Sequence, residues 1–339
     1  MSQKLFETIS LHSNENPLGP SPMALEAIKK YSQDVHCYGS WKPQTLKEKL
    51  ASKYQVSPNN IAVSAGSYEL INLIIHFLVN RDEEILTFDN TFMAYSYNAK
   101  RNGRKCVISN MSGLECDLED LIPLCGKNTK AIFFANPNNP TGTIVTHDSL
   151  RNLLETIPSN VLVVADEAYY EYVTNESYPD SVQLLKEFPN LIILRTFSKI
   201  YGLAGARVGY GIASESLVET MEEKRLLRSI NILGKKAAEA ALDDVEYIRR
   251  SVSQNSRGKE YLLKELRQLG FAVNDSQANF LYLPFHDNNQ KNSVYQTLAK
   301  EGLMVCDLEI FGQNNSLRIT ISLNEINQRI IDCLTQIKK

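Results

Sequence analysis

The chain has 339 residues, of which 43% are hydrophobic and 22% are charged. These fractions are typical of a folded globular protein and exclude a disordered, collagen-like or coiled-coil chain. Thirty-six Lys and Arg residues nearly balance 39 Asp and Glu residues, which leaves a formal net charge of -3. Because no block of like charges occurs in the sequence, we expect neither nucleic acid nor a membrane surface as a partner.

Signals for membrane insertion, export and metal binding are also missing from the sequence. The most apolar stretch, Leu70 to Val79, is far shorter than the roughly 20 residues that span a bilayer. The N-terminal segment lacks the basic and apolar regions of a signal peptide, so we expect a cytoplasmic protein. Six cysteines at irregular spacing predict neither a disulfide framework nor a metal site.

The first part of the chain predicts an extended arm followed by a large α/β unit. The arm is rich in proline and leads into a helix at Met23 to Tyr31. After it, short apolar runs alternate with turns and helical patterns, as in a mostly parallel seven-stranded sheet covered by helices. The predicted strands are IAVSAG from Ile61, EILTF from Glu84, KCVIS from Lys105, AIFFA from Ala131, VLVVAD from Val161, LIILRTF from Leu191 and RVGYGIA from Arg207.

A change of pattern near Leu226 predicts a second, smaller α+β domain. Two long helical patterns, NILGKKAAEAALDDVEYIRR and SRGKEYLLKELRQLG, precede three predicted strands, FAVND, NFLYLPF and SLRITIS. The expected organisation is therefore an arm and first helix in residues 1–30, a large domain in residues 31–225 and a small domain in residues 226–339.

Polar residues follow several of the predicted strands, where a doubly wound sheet places its ligand site. Gly66, Ser67 and Tyr68 follow the first strand and suit a turn that approaches an anion. This turn matches neither GxGxxG nor the P-loop pattern, which disfavours a dinucleotide or nucleoside triphosphate. The other strand-end segments are NPNNPTG with Asn139, DEAY with Asp166 and Tyr169, and TFSK with Thr196, Ser198 and Lys199, followed by Arg207.

Together these motifs, in this order and spacing, resemble the fold-type I pyridoxal-phosphate-dependent aminotransferases of class I/II. Within that class the chain is most similar to histidinol-phosphate aminotransferase-like members. The resemblance extends from NENP at Asn14 to SLRITIS at Ser316. It implies the pyridoxal-phosphate-dependent transferase fold, with a large cofactor-binding domain and a smaller α+β domain. It also implies amino transfer between an amino acid or amino-phosphate substrate and a 2-oxo acid, usually glutamate and 2-oxoglutarate.

The resemblance implies a role for each strand-end residue. Lys199 would form a Schiff base with the cofactor aldehyde, and Asp166 would pair with the pyridinium nitrogen. Asn139 and Tyr169 would hydrogen-bond the ring oxygen, and Phe92 would stack on the ring. The cofactor phosphate would be held by Gly66, Ser67, Tyr68, Thr196, Ser198 and Arg207.

The same resemblance implies a homodimer whose active sites are shared. Tyr38, in HCYGS, matches the tyrosine that reaches the cofactor phosphate of the neighbouring subunit. Arg318 matches the arginine that grips the acidic group of the substrate, and Asn14 and Glu15 lie in an arm that closes over the site. We therefore expect pyridoxal 5'-phosphate as cofactor and small amino and 2-oxo acids as partners.

The chain departs from histidinol-phosphate aminotransferases at the substrate end of the site. Those enzymes typically carry a Pro-Tyr pair near the N-terminus and a second arginine, whose place falls here on Cys306. Three substrate classes stay open: histidinol phosphate, an ordinary amino acid, and a decarboxylase substrate of the threonine-phosphate type. From other classes, a non-catalytic binding protein is disfavoured by Lys199, Asp166 and Arg207, and a nucleotide-dependent oxidoreductase by the missing glycine fingerprint.

Overall fold

The computed structural model describes residues 8–38 and 42–337, which form two β-sheets surrounded by helices. The strands are β1 Ile9–Leu11, β2 Ile61–Ser64, β3 Glu84–Phe88, β4 Lys105–Ser109, β5 Thr129–Ala135, β6 Leu162–Asp166, β7 Leu191–Thr196, β8 Gly209–Ile212, β9 Phe280–Pro284, β10 Leu303–Asp307 and β11 Ser316–Thr320. The α-helices are α1 Pro22–Tyr31, α2 Gln44–Tyr54, α3 Ser67–Leu73, α4 Ala94–Arg101, α5 His147–Thr156, α6 Ser181–Glu187, α7 Glu215–Lys224, α8 Ile232–Ala241, α9 Val245–Gln268, α10 Asn288–Lys300 and α11 Asn324–Ile337.

The large sheet contains all seven strands predicted from the sequence. Its order is β2-β8-β7-β6-β5-β3-β4. Strand β8 is antiparallel to both of its neighbours, and all other pairs are parallel. Six strands therefore run in one direction and end at one edge, where the reversed β8 begins. The predicted α/β class and mostly parallel sheet are confirmed.

Burial on both faces explains why the strands read as continuous apolar runs. In β5, Ile132 and Phe134 belong to the hydrophobic core on one face, whereas Ala131 and Phe133 belong to the core on the other. Successive side chains of a strand point to opposite faces, so a sheet covered by helices on both faces needs apolar residues at both positions. Polar residues are consequently concentrated at the strand ends.

The small sheet joins the N-terminal arm to the C-terminal part of the chain. Its order is β1-β10-β11-β9, and β1 pairs with β10 in parallel. The sequence patterns did not predict β1, and the prediction of a strand in FAVND was wrong, since residues 271–275 form no strand. Phe271 and Val273 instead pack directly on the small-domain core, which accounts for their alternating apolar pattern.

Helices α8 and α9 occupy the two long helical patterns after Leu226, but the boundary between them differs from the predicted one. Helix α9 is continuous from Val245–Gln268, so it joins the end of the first predicted pattern to the second. The break falls before Asp244, whose side chain accepts a hydrogen bond from the backbone N–H of Tyr247 at 3.2 Å. This N-cap favours a new helix start at that position.

In the described residues, no helix combines the length and the apolarity needed to cross a membrane. The domain boundaries at residues 30 and 225 stay a prediction.

A buried ion pair links the ends of the two central strands β6 and β7. The Arg195 guanidinium donates to Oε2 of Glu167 through Nε at 2.9 Å and Nη2 at 2.7 Å, and neither side chain is more than 2% exposed. The rings of Tyr170 and Tyr54 lie over the guanidinium, with centroids 3.6 and 4.7 Å from its carbon. The pair fixes two strand ends that carry neighbouring site residues.

Replacing Arg195 tests the contribution of this pair to stability. We expect Arg195→Met to lower the free energy of unfolding by about 3 to 5 kcal/mol, because the Glu167 carboxylate stays buried without its cation. The control is Arg249→Met, which breaks an exposed pair with Glu246 and should cost less than about 1 kcal/mol. Urea titration measures both changes, and a similar small loss in the two variants would contradict the structural role of the buried pair.

Candidate active site

A cavity of about 510 Å³ lies at the edge of the large sheet where the parallel strands end. The small domain contributes the opposite wall through β10, β11 and the segment between them. Most of the residues predicted from the sequence line this cavity: Asn14, Glu15, Ser67, Tyr68, Phe92, Asn139, Asp166, Tyr169, Thr196, Ser198, Lys199, Arg207 and Arg318.

A glycine turn and an arginine form one end of the cavity. Gly66 has φ 92 and does not itself line the cavity. A Cβ at this position would lie 2.6 Å from Nη2 of Arg207, so the turn requires glycine if the guanidinium is to pack against it. Ser67 and Tyr68 begin α3 directly after this turn and line the cavity.

Hydroxyl groups lie at the same end. Oγ1 of Thr196 donates to Oγ of Ser198 at 3.0 Å, and the backbone N–H of Ser198 donates back to the threonine hydroxyl at 3.1 Å. Arg207, which precedes β8, donates to the backbone oxygen of Ala204 through Nη1 at 2.8 Å. Hydroxyl donors beside a guanidinium and a helix start suit a phosphate dianion.

Asp166 provides a buried carboxylate in the wall of the cavity. It is the last residue of β6 and only 4% exposed. Its Oδ2 accepts a hydrogen bond from the Tyr95 hydroxyl at 3.0 Å. Its Oδ1 is buried, and no group of the described residues donates to it. Burial raises the pKa of Asp166 to about 6, whereas the hydrogen bond from Tyr95 lowers it.

The half-paired carboxylate fits a cationic N–H donor from a bound group. A buried ionised oxygen without a donor is costly, and a protonated ring nitrogen would supply both a hydrogen bond and a positive charge. Together with the phosphate end of the cavity, this donor set fits a phosphorylated pyridine. Pyridoxal phosphate has that chemistry.

Lys199 brings an amine into the same cavity. Its Nζ donates to the backbone oxygen of Ser13 at 2.8 Å. Burial, followed by the positive charge of Arg318, lowers the pKa of Lys199 to about 8, although Glu15 and Asp166 act in the opposite direction. A lysine with this pKa has a neutral fraction near pH 7 and can act as a nucleophile.

Tyr169 and Asn14 form a contact between the large domain and the N-terminal arm. Nδ2 of Asn14 donates to the Tyr169 hydroxyl at 2.9 Å. Asn14 adopts φ 54, and its backbone N–H donates to Oγ1 of Thr320 at 3.1 Å. The arm is thus held against both walls of the cavity, and the neighbouring Glu15 is exposed at the cavity rim.

Arg318 and Asn139 contact each other across the cavity. Nη1 of Arg318 donates to Oδ1 of Asn139, and Nη2 donates to the backbone oxygen of His12 at 2.6 Å. Nε of Arg318 has no partner in the described residues. Cys306 lies opposite Arg318 in the β10–β11 register and also lines the cavity. Asn139, which was predicted to bind the cofactor, and Arg318, which was predicted to bind the substrate, are therefore neighbours.

Tyr38 is a predicted site residue that lies outside this arrangement. It is 78% exposed and does not line the cavity. The guanidinium carbon of Arg228 lies 4.6 Å from the centroid of its ring. Phe92, by contrast, lines the cavity and packs edge-on against Tyr95, with ring centroids 5.8 Å apart.

Several site residues were missed by the sequence reasoning. Tyr95 reaches Asp166 from helix α4, and its only sequence signal is helical spacing after Phe92. Ile310 and Phe311 form an apolar part of the small-domain wall. In the sequence they form only an apolar pair between β10 and β11. Such a pair is as typical of ordinary core packing as of a binding site.

Comparisons with known proteins agree with this fold and site. The family model for aminotransferase class I and II matches residues 7–332. The histidinol-phosphate aminotransferase of Moorella thermoacetica is 37% identical over 98% of this chain and 86% of its own length. The enzyme of that name from Anaeromyxobacter sp. is 39% identical over 96% of this chain and 90% of its own length.

A solved structure of an enzyme with the same name also has the fold of this chain. Histidinol-phosphate aminotransferase from Sinorhizobium meliloti, in complex with pyridoxal-5'-phosphate, superposes with a TM-score of 0.91 at 26% identity, covering 97% of this chain and 90% of that one. Fold and site thus define a pyridoxal-phosphate-dependent transaminase. The chain belongs to the class I and II aminotransferases.

The lowered pKa of Lys199 leads to a testable pH dependence. Only the neutral amine attacks an aldehyde, so covalent capture of pyridoxal phosphate by the apoprotein should accelerate as pH rises and reach half its maximum near pH 8, because the pKa is about 8. Stopped-flow absorbance measures the rate, and Lys199→Ala serves as the control without capture. A half-maximum above about pH 10, the value of an ordinary lysine, would contradict the electrostatic environment described.

Proposed function

We propose that this transaminase uses Lys199 and Asp166 as its reacting residues, Arg318 as its substrate anchor, and glutamate with 2-oxoglutarate as one substrate pair. The observation that carries the proposal is the meeting of three features in one cavity. These are a lysine of lowered pKa, a buried carboxylate and an arginine, and Oδ1 of the carboxylate and Nε of the arginine have no partner among the described residues.

Each of these groups has a defined task. Pyridoxal phosphate, when bound, supplies an aldehyde for the substrate amine and a protonated ring that accepts electrons from the α-carbon. Asp166 would hold the proton on the ring nitrogen. Lys199 would take the proton from the substrate α-carbon on its Nζ and return it during the transfer. Asn139 and Tyr169 would orient the ring oxygen, and Phe92 would pack on the ring.

The phosphate end of the cavity acts as an anchor that the reaction does not change. The Gly66 turn with Ser67 and Tyr68, the hydroxyls of Thr196 and Ser198, and the Arg207 guanidinium would share the dianionic charge. This anchor would keep the cofactor in place throughout the reaction. Asn14 and Glu15 would close the opposite side through the arm.

We also propose that the protein is a homodimer in which Tyr38 reaches the cofactor phosphate of the partner subunit. Tyr38 is exposed, as are Val35, Leu226 and Leu227, whose apolar side chains are 61%, 76% and 78% exposed. A second copy would cover such residues. Analytical ultracentrifugation at micromolar concentration tests this proposal, and a monomeric holoenzyme would overturn it. The cytoplasmic location stays a prediction.

The charges at the substrate end favour a substrate with a single carboxylate. Three Lys and Arg side chains of the described residues line the cavity: Lys199, Arg207 and Arg318. Two of them are assigned to the cofactor, which leaves Arg318 for the substrate. Cys306, Ile310 and Phe311 form an uncharged surface on the same wall. One arginine matches a carboxylate, whereas a phosphate monoester is close to a dianion at neutral pH.

The names of the relatives described above favour histidinol phosphate, so the proposal must be tested against that substrate directly. We propose that an ordinary α-amino acid is used at least as well as histidinol phosphate. A panel of amino donors with 2-oxoglutarate measures kcat/KM for each compound, and assays for carbon dioxide detect a decarboxylase. A preference for histidinol phosphate of a hundredfold or more would overturn the substrate proposal while leaving transamination intact.

Cys306 offers a direct test of the charge argument. We expect Cys306→Arg to raise kcat/KM for histidinol phosphate by about tenfold to a hundredfold, since one charge-assisted hydrogen bond contributes about 1.5 to 3 kcal/mol. Cys306→Ser is the matched control, because it changes the side chain without adding charge. Steady-state kinetics on both variants decide the matter, and equal values for the two variants would show that Cys306 does not limit phosphate binding.

A further inference from the structure

The two oxygens of the Asp166 carboxylate have different surroundings. Oδ2 accepts the hydroxyl proton of Tyr95 at 3.0 Å, while Oδ1 is buried and has no donor in the part of the chain that the structure describes. The Tyr95 hydroxyl occupies Oδ2, so Oδ1 is the oxygen that remains available to a bound group.

Tyr95 is held so that its hydroxyl has little freedom. The residue is 0% exposed and lies in the first turn of α4. Its ring packs against Phe133 of β5 with centroids 5.4 Å apart, and against Phe92 at 5.8 Å. Aromatic contacts on two sides fix the ring, so the position of the hydroxyl follows from the core packing.

The contact keeps Tyr95 protonated and favours the ionised form of Asp166. Burial, followed by the negative charge of Asp166, raises the pKa of Tyr95 well above its ordinary value, so the phenol remains a proton donor. The hydrogen bond from Tyr95 in turn lowers the pKa of Asp166 against burial, as do the backbone N–H of Ala168 and the charge of Lys199, whereas Glu167 raises it. Loss of the phenol would favour the protonated form of Asp166.

We propose that Tyr95 is a positioning residue for Asp166, which keeps the carboxylate ionised and leaves Oδ1 available to the cofactor ring. The inference rests on the proposed role of Asp166. Tyr95 itself acts through the carboxylate, because the described geometry places its hydroxyl on Oδ2 and its ring in the core.

The alternative is that Tyr95 only fills space in the core, and a double-mutant cycle separates the two roles. The variants are Tyr95→Phe, Asp166→Asn and the combination, with Tyr97→Phe as the matched control. Tyr97 lies on the same helix and is 52% exposed. The measured quantity is the dissociation constant of pyridoxal phosphate from the apoprotein by absorbance titration, with kcat and KM as a second readout.

We expect Tyr95→Phe to weaken cofactor binding about tenfold and to lower kcat more than it changes KM, since a hydrogen bond to a charged group is lost. In the Asp166→Asn background the same change should alter binding less than threefold. Tyr97→Phe should have no effect in either background. Equal effects of Tyr95→Phe in both backgrounds, or no effect in the wild type, would overturn the proposal.

The cycle also distinguishes this inference from the site assignment on which it depends. If Asp166→Asn binds pyridoxal phosphate as tightly as the wild type, the proposed role of Asp166 is wrong. If Asp166→Asn weakens binding but Tyr95→Phe shows no coupling to it, only the role of Tyr95 is overturned.

Discussion

The charge of Asp166 lies at the end of a central strand, where desolvation penalises an ionised carboxylate and raises its pKa to about 6. One oxygen is satisfied by Tyr95 and the other has no donor among the described residues. Lys199 and most residues of the phosphate anchor line the same cavity as this partly paired carboxylate. A cation that approaches Oδ1 from this cavity would remove the penalty.

Strand direction explains how these groups come together. Because six strands of the large sheet run the same way, the residues after β2, β6 and β7 meet at one edge. Strand β8 runs in the opposite direction, so Arg207 at its start reaches the same edge and packs on the Gly66 turn. The buried pair of Arg195 and Glu167 joins β6 to β7 immediately beside Thr196 and Asp166. The packing of the strands in the large sheet thus sets the positions of the polar residues at the strand ends.

Much of this arrangement is predictable from the sequence, because both the strands and their polar ends are local signals. Continuous apolar runs identify the seven strands of the large sheet, and the polar residues that follow them identify most of the cavity. The contact between Tyr95 and Asp166 is not a local signal, since it depends on how α4 packs against β5 and β6. The pairing of β1 with β10 likewise joins residues nearly the whole chain apart.

The errors have similar physical causes. The alternating pattern of FAVND is satisfied by packing of Phe271 and Val273 on the core without a strand partner. The start of α9 depends on a single side-chain cap at Asp244, which apolar periodicity does not register. The contact of Arg318 with Asn139 arises because the small-domain wall faces the large sheet, and no single segment contains that information.

The most direct test concerns the proton between Asp166 and the cofactor. The nitrogen-15 chemical shift of ring-labelled pyridoxal phosphate, bound to the wild-type protein and to Asp166→Asn, reports whether the ring nitrogen carries a proton. A protonated nitrogen in the wild type, lost in the variant at the same pH, is the expected result. An unprotonated nitrogen in the wild type would contradict the pairing of Asp166 with the cofactor ring.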